Sequence, residues 1–184
     1  MKVSVTSEMK EQAKNEASKR NPHINHHFDV NHLTGEERDI IGFLGEFACC
    51  SLLNIDWKTN IRENYLTIDS FDLIVDGKKA DVKTETIPDK YLKLIVEKKI
   101  NDDGVFGRRL INQGQVILLP KYDIVIFGAF ERGNYDFWYA LGYLESKYIQ
   151  ENYKITKQRP DGGSYPFSAL AIKSSELKPI KDLL

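Results

Sequence analysis

An Asp-Gly pair set between two alternating runs constrains this chain more than any other feature. Phe71, Leu73 and Val75 alternate with Asp72 and Ile74, Asp76-Gly77 follows, and the alternation resumes from Lys79 to Glu85. Asp-Gly suits the two positive-φ positions of a type I′ turn, whose twist matches that of the strands it joins. A two-residue loop pairs Val75 with Lys78, and a four-residue loop closed by Ile74 and Lys79 gives the same register. Leu73 then faces Ala80, and Asp72 faces Asp81. Side chains alternate along a strand, so Asp81, Lys83 and Glu85 share one side, with Asp72 across from Asp81.

Two opposed carboxylates repel and weaken a hairpin. Solvation at a sheet edge would screen that repulsion, but Phe71, Leu73 and Val75 on the other face imply a sheet packed on a core. The alternative is a divalent cation between the aspartates; Mg²⁺ is held by one or two carboxylates together with waters and phosphate oxygens. Lys83 projects into the same space. There it would orient or help deprotonate an attacking water, or stabilise negative charge on a phosphate. Taken alone it reads equally well as a salt bridge to Asp81 or Asp72. Metal, paired acids and lysine together are the parts that phosphodiester hydrolysis needs.

Upstream, Thr34-Gly35-Glu36-Glu37 forms a capping-box pattern with Thr34 as N-cap. The helix it opens runs to about Leu53, with Ile40, Phe43, Leu44, Phe47, Cys50 and Leu52 as a broad apolar face. Gly42 and Gly45 cost helix stability, which points to close approach of another element. Glu46 stands at the border of the apolar face.

Asp72, an eight-residue gap and Asp81-Val82-Lys83 resemble the Asp…(Asp/Glu)-x-Lys motif of the PD-(D/E)XK nuclease superfamily, with Phe71 where that family usually has proline. Gly42-Phe43-Leu44-Gly45-Glu46-Phe47-Ala48 is similar to the Gly-x-x-Gly-Glu-x-Ala helix of many members, including Holliday-junction-resolvase-like and restriction-like enzymes. The resemblance covers residues 36–86. It implies Glu46, Asp72, Asp81 and Lys83 as catalytic residues, with Asp72, Asp81, Val82 and Glu46 around the metal. The implied cofactor is Mg²⁺, with Mn²⁺ able to substitute, and the implied reaction is hydrolysis of DNA by water without a covalent enzyme intermediate. RNA stays open as a substrate. The competing class is a nuclease-like module that has lost catalysis and only binds nucleic acid or a protein partner. The presence of all four residues weighs against it.

The expected architecture is an α/β domain with a mixed central β-sheet flanked by helices, resembling the restriction-endonuclease-like core. Residues 1–184 read as a single domain, with 1–33 as an N-terminal helix and loop extension. In that extension, residues 7–20 form a polar helix capped by Ser7, whose thin stripe of Met9, Ala13 and Ala17 predicts weak packing. Residues 21–32 read as a loop holding His23, His26, His27 and His32, a spacing that matches no standard zinc site.

Downstream, residues 91–100 read as helix or strand. Residues 116–119 and 122–130 read as strands, the second apolar enough for a sheet centre. A turn at 131–134, a strand at 137–141, a short helix at 145–151, a strand at 170–173 and a short helical end complete the chain.

A formal net charge of −1 argues against coating nucleic acid by bulk charge. A nuclease needs only a local basic rim, which an acidic metal site cancels in the total. Arg108, Arg109 and Lys121 are the candidates for phosphate contacts, whereas Lys78-Lys79 and Lys98-Lys99 read as solvated surface. Gln113 and Gln115 would share a strand face. Tyr135, Phe137, Trp138, Tyr139 and Tyr143 fit core and sheet edge better than a base-stacking platform. Adjacent Cys49 and Cys50 read as reduced, small apolar residues. With no signal h-region and no apolar run of membrane-spanning length, a cytoplasmic location and no membrane partner are expected. A two-fold homodimer would suit paired cuts in a duplex.

Overall fold

A computed structural model describes residues 1–20, 33–61 and 71–184. The histidine-bearing loop lies outside the described residues. Five strands build a mixed sheet: β1 (Lys2–Ser4), β2 (Leu73–Val75), β3 (Lys78–Ile87), β5 (Ile124–Glu131) and β6 (Asn134–Glu145). Their spatial order is β1-β6-β5-β3-β2. Only β3 and β5 run parallel; the other neighbours are antiparallel. A parallel pair needs a long crossover. Here it holds α3 (Asp89–Val96) and β4 (Arg108–Asn112). Helices α1 (Ser7–Arg20) and α2 (Gly35–Leu52) pack on one face of the sheet. Across the other face lie α3, α4 (Ser146–Asn152) and a second, antiparallel sheet. That second sheet has the order β4-β8-β7, with β7 at Ile155–Gln158 and β8 at Ser164–Lys173.

β5 shows why its sequence is apolar without alternation. Ile124, Ile126 and Phe130 face the helices, while Val125 and Phe127 face the second sheet and Ala129 faces α3. A strand covered on both faces has no solvent side to make polar. α2 begins where the capping box places it: Thr34 Oγ1 accepts from the Glu37 amide at 3.2 Å, and the Thr34 amide donates to Glu37 Oε2 at 2.7 Å. Such a cap contributes about 1 kcal/mol. Phe43 and Phe47 are fully buried on its inner face, each contributing roughly 1.5–3 kcal/mol.

Several expectations are corrected. The hydroxyl of Thr6, not Ser7, accepts the Met9 amide at 3.1 Å and so caps α1. The thin stripe of α1 does not pack weakly: Met9, Ala13 and Ala17 are all buried, because small side chains let the helix lie close to α2. Residues 116–119 are not a strand but part of a 3-10 helix, Gln113–Lys121. Asn112 Oδ1 caps it by accepting from the Gly114 amide at 2.8 Å, and Pro120 lacks the amide a ladder would need. Of its four apolar residues only Leu119 is buried. Gln113 and Gln115 therefore share no strand face. Residues 91–100 resolve as helix over Asp89–Val96, and the strand expected at 137–141 spans Asn134–Glu145. β1, β4 and β7 carry no sequence signal strong enough to have announced them.

Candidate active site

The hairpin turn has the geometry its sequence demands. Asp76 and Gly77 sit at φ 48° and 72°, and Leu73, Ile74 and Val75 pair with Ala80, Lys79 and Lys78. Leu73 and Val75 are buried against α2, while Phe71 is half-buried. Beyond Leu73 the ladder stops. The Asp72 amide still donates to the Ala80 carbonyl at 2.9 Å, and then its own carboxylate turns in and accepts the Val82 amide at 2.7 Å. Asp72 thus ends the hairpin by replacing a backbone acceptor with a carboxylate. This places the charge at the edge of β3, within reach of groups on both faces of the sheet.

Lys83 extends along the strand face it shares with Asp81. Its ammonium donates to Asp81 Oδ1 at 2.8 Å and lies 2.7 Å from Oδ2. The second contact is between charges only, since the buried Oδ2 accepts no hydrogen bond. Burial acts to lower the Lys83 pKa. The surrounding carboxylates of Asp81, Asp72 and Glu46 outweigh it and hold the group above its usual value, as a cation.

Glu46 reaches the same place from α2. A Cβ on Gly45 would stand 1.9 Å from Thr84 Oγ1, so only glycine lets the helix lie this close to β3. Thr84 is in turn held by the indole of Trp138, whose Nε1 donates to Thr84 Oγ1 at 3.1 Å. That ring occupies the space a Cβ on Gly128 would fill, on the residue paired with Thr84 in β5. Gly45, Thr84, Trp138 and Gly128 form a stack that fixes α2 on the sheet. Glu46, next to Gly45, is buried, and Asn60 Nδ2 donates to its Oε2 at 2.9 Å. Among the described residues, nothing lies within 4 Å of the Gly42 Cβ position.

Glu46, Asp72 and Asp81 all act on the Lys83 ammonium. Burial first, then Glu46 and Asp81, push the Asp72 carboxyl well above its ordinary range; Lys83 and the Val82 amide offset only part of this. Val82 places its side chain in the core, so its carbonyl is the only atom it could offer a cation. Among the described residues, no three His, Cys, Asp or Glu side chains stand already grouped as a metal would require. Lys83 is seated on Asp81 in this acidic corner.

The phosphate-contact candidates are scattered. Arg109 is fully buried, its guanidinium bonded to Glu85 and to the Phe106 carbonyl, which leaves it no path to a phosphate in solution. That expectation is corrected: the residue is an internal clamp between β4 and β3. Burial pushes the Glu85 carboxyl up despite this partner. Arg108 is turned the other way and bonded to Asp103 at 2.7 Å, and Lys121 is exposed. Trp138 and Tyr143 are buried, and Phe137 lies beneath the Lys2 ammonium at 4.2 Å. Both cysteines are buried and free, and burial pushes the Cys50 thiol up to about 12. Among the described residues, no helix is long and apolar enough to cross a membrane.

Sequence reasoning missed Asn60, Thr84 and the partner of Glu85. Only Thr84 left a trace, as the residue β3 presents opposite a helix glycine. No family model matches the chain, and neither a curated protein nor a solved structure matches it.

Proposed function

We propose that the chain is a Mg²⁺-dependent nuclease that hydrolyses DNA phosphodiester bonds, with a core of the restriction-endonuclease-like kind. One observation carries the reading: Glu46 from α2, Asp72 from the end of β2 and Asp81 from β3 bring three carboxylates to bear on the Lys83 ammonium. The chemistry of the donors, though not their present grouping, fits the ion. Carboxylate oxygens are the hard ligands Mg²⁺ prefers, and Asp81 Oδ2 is buried with the Lys83 ammonium 2.7 Å away. Glu46, Asp72, Asp81 and the Val82 carbonyl would hold it. When bound, a divalent cation supplies Lewis acidity toward the scissile phosphate and the attacking water.

The chain's own groups do the rest. Asp72 is anchored by the Val82 amide, so its carboxylate is oriented before anything binds. Asn60 fixes one oxygen of Glu46 in the same way. Lys83 stays charged on the strand face of Asp81, where it stabilises negative charge gathering on a phosphate. Because Lys83 already sits on Asp81, a cation must compete with it for that carboxylate.

The same ion pair favours a second reading. Lys83 and Asp81 satisfy one another without any metal, as they would in a nuclease-like module that binds nucleic acid or a protein and cuts nothing. Linear, circular, single-stranded and branched DNA incubated with Mg²⁺ or with EDTA separates the two. Cleavage that needs the metal and is absent in Asp81→Ala supports the nuclease. A preparation that binds no Mn²⁺ by calorimetry and cuts none of these substrates sinks it.

A further inference from the structure

The second sheet has a like-charged cross-strand pair of its own. Arg108 of β4 is paired directly with Lys173 of β8, on the sheet face turned away from Ile111, Leu170 and Ile172 of the core. Opposed cations repel as opposed aspartates do. Together with Lys154, Tyr148, Tyr153 and Glu176 they line a concave space of about 400 Å³.

The lining holds three cations and one carboxylate, in a chain whose net charge is −1. That carboxylate is already covered. Glu176 accepts from the hydroxyls of Tyr153 at 2.5 Å and Tyr148 at 3.1 Å, and from the Lys173 ammonium at 3.2 Å. Arg108 spends part of its guanidinium on Asp103 and on the Asp102 and Ala171 carbonyls. Lys154 is exposed and has no ion pair among the described residues. Tyr148 is 38% exposed beside these cations. A basic groove with an open aromatic ring is the combination that holds a single nucleic-acid strand, through its phosphates and through stacking.

We propose that this pocket is a second anion site that holds the phosphodiester backbone of a DNA strand, with Tyr148 as a stacking surface for an adjoining base. The inference rests on the nuclease reading for the identity of its ligand. It uses none of the cutting residues. Along β4, Arg109 turns inward to clamp Glu85 of the catalytic strand, and Arg108, one residue earlier, turns outward to the pocket. DNA held there is therefore tied mechanically to β3 without touching Asp81 or Lys83.

The test is fluorescence anisotropy of a labelled single-stranded oligonucleotide with the full chain in EDTA, where no cutting occurs. Lys154→Ala/Lys173→Ala should weaken binding about tenfold and reduce the salt slope by roughly 1–2. Exposed Lys154→Glu, which disturbs no contact in the fold, should weaken it further at an unchanged melting temperature. Unchanged affinity and salt slope in Lys154→Glu overturns the site. So does thymidine monophosphate that displaces the oligonucleotide at equal concentration, since the pocket would then serve a small ligand. An oligonucleotide held through Lys154 but never cut with Mg²⁺ overturns the nuclease reading and leaves the site standing. Metal-dependent cutting with Lys154→Glu binding normally does the reverse.

Discussion

On one face of β3, Ala80, Val82 and Thr84 meet α2 through apolar contact and a slot one atom wide at Gly45. On the other, Asp81, Lys83 and Glu85 carry alternating charge and are answered within the protein by one another and by Arg109. The first face sets a distance and the second sets a charge. Neither makes a site alone: the close approach brings Glu46 in, and Asp72 at the strand edge joins it to the acids beyond. The three carboxylates and Lys83 interact where the two faces share an edge. Further along β3, Glu85 has a full partner in Arg109.

The comparison breaks most visibly on the charged face. Asp81→Ala and Lys83→Ala should each lower DNA cleavage by about 10²–10³-fold, the range for removing one group that stabilises developing charge. Calorimetry separates them, because Lys83→Ala should bind Mn²⁺ at least as tightly as the parent while Asp81→Ala loses the heat. Retained cutting in Lys83→Ala would remove the lysine from the mechanism. Next in size is Glu85→Leu, which leaves fully buried Arg109 without its carboxylate and should cost about 3–5 kcal/mol in urea unfolding. Glu85→Leu/Arg109→Met should recover most of that loss. If the double variant is no more stable than the single one, the pair is not the clamp described.

The apolar face predicts smaller effects of opposite sign at two nearby glycines. Gly45→Ala forces a Cβ to within 1.9 Å of Thr84 Oγ1 and should cost about 1–3 kcal/mol. Gly42→Ala meets nothing within 4 Å among the described residues and should stabilise by about 0.5–1 kcal/mol. Equal responses would mean that α2 is not held by the slot. Asp72→Asn sharpens the edge between the faces. The folded chain holds the Asp72 proton more tightly than the unfolded chain, so stability falls as pH rises from about 3.8 toward the raised value. In EDTA at neutral pH the asparagine variant should melt above the parent, with the gap closing on acidification. With Mg²⁺ present the order should reverse, because only the parent gains from binding.

What could be read from the sequence follows the range of the interactions concerned. The hairpin register, the capping box and the two-sided burial of β5 depend on neighbours in the chain or on plain apolarity, and all were legible. Asp72 was placed opposite Asp81 by counting. That it would leave the ladder to take the Val82 amide depends on where β2 departs, which no residue type announces. Arg109 looked like surface because arginine usually is; its burial is decided by Glu85, 24 residues away, and by the Phe106 carbonyl. The second sheet pairs β4 with β8 across about 60 residues, and neither strand has clean alternation. Gly45 was recognised as a close approach, whereas Gly42, grouped with it, meets nothing within 4 Å among the described residues; the sequence shows a small residue but not what stands opposite.

Trp138 lies in the slot that Gly128 opens and donates its one proton to Thr84, while Trp57 is half-buried against Phe47. The chain has no third tryptophan. Its ultraviolet emission is therefore a two-channel gauge, with the buried indole reporting on the junction of α2, β3 and the central strand β5. Replacing Trp57 with phenylalanine would leave a single optical reporter at that junction, able to register in solution whether a ligand at the acidic corner tightens it or pries it open.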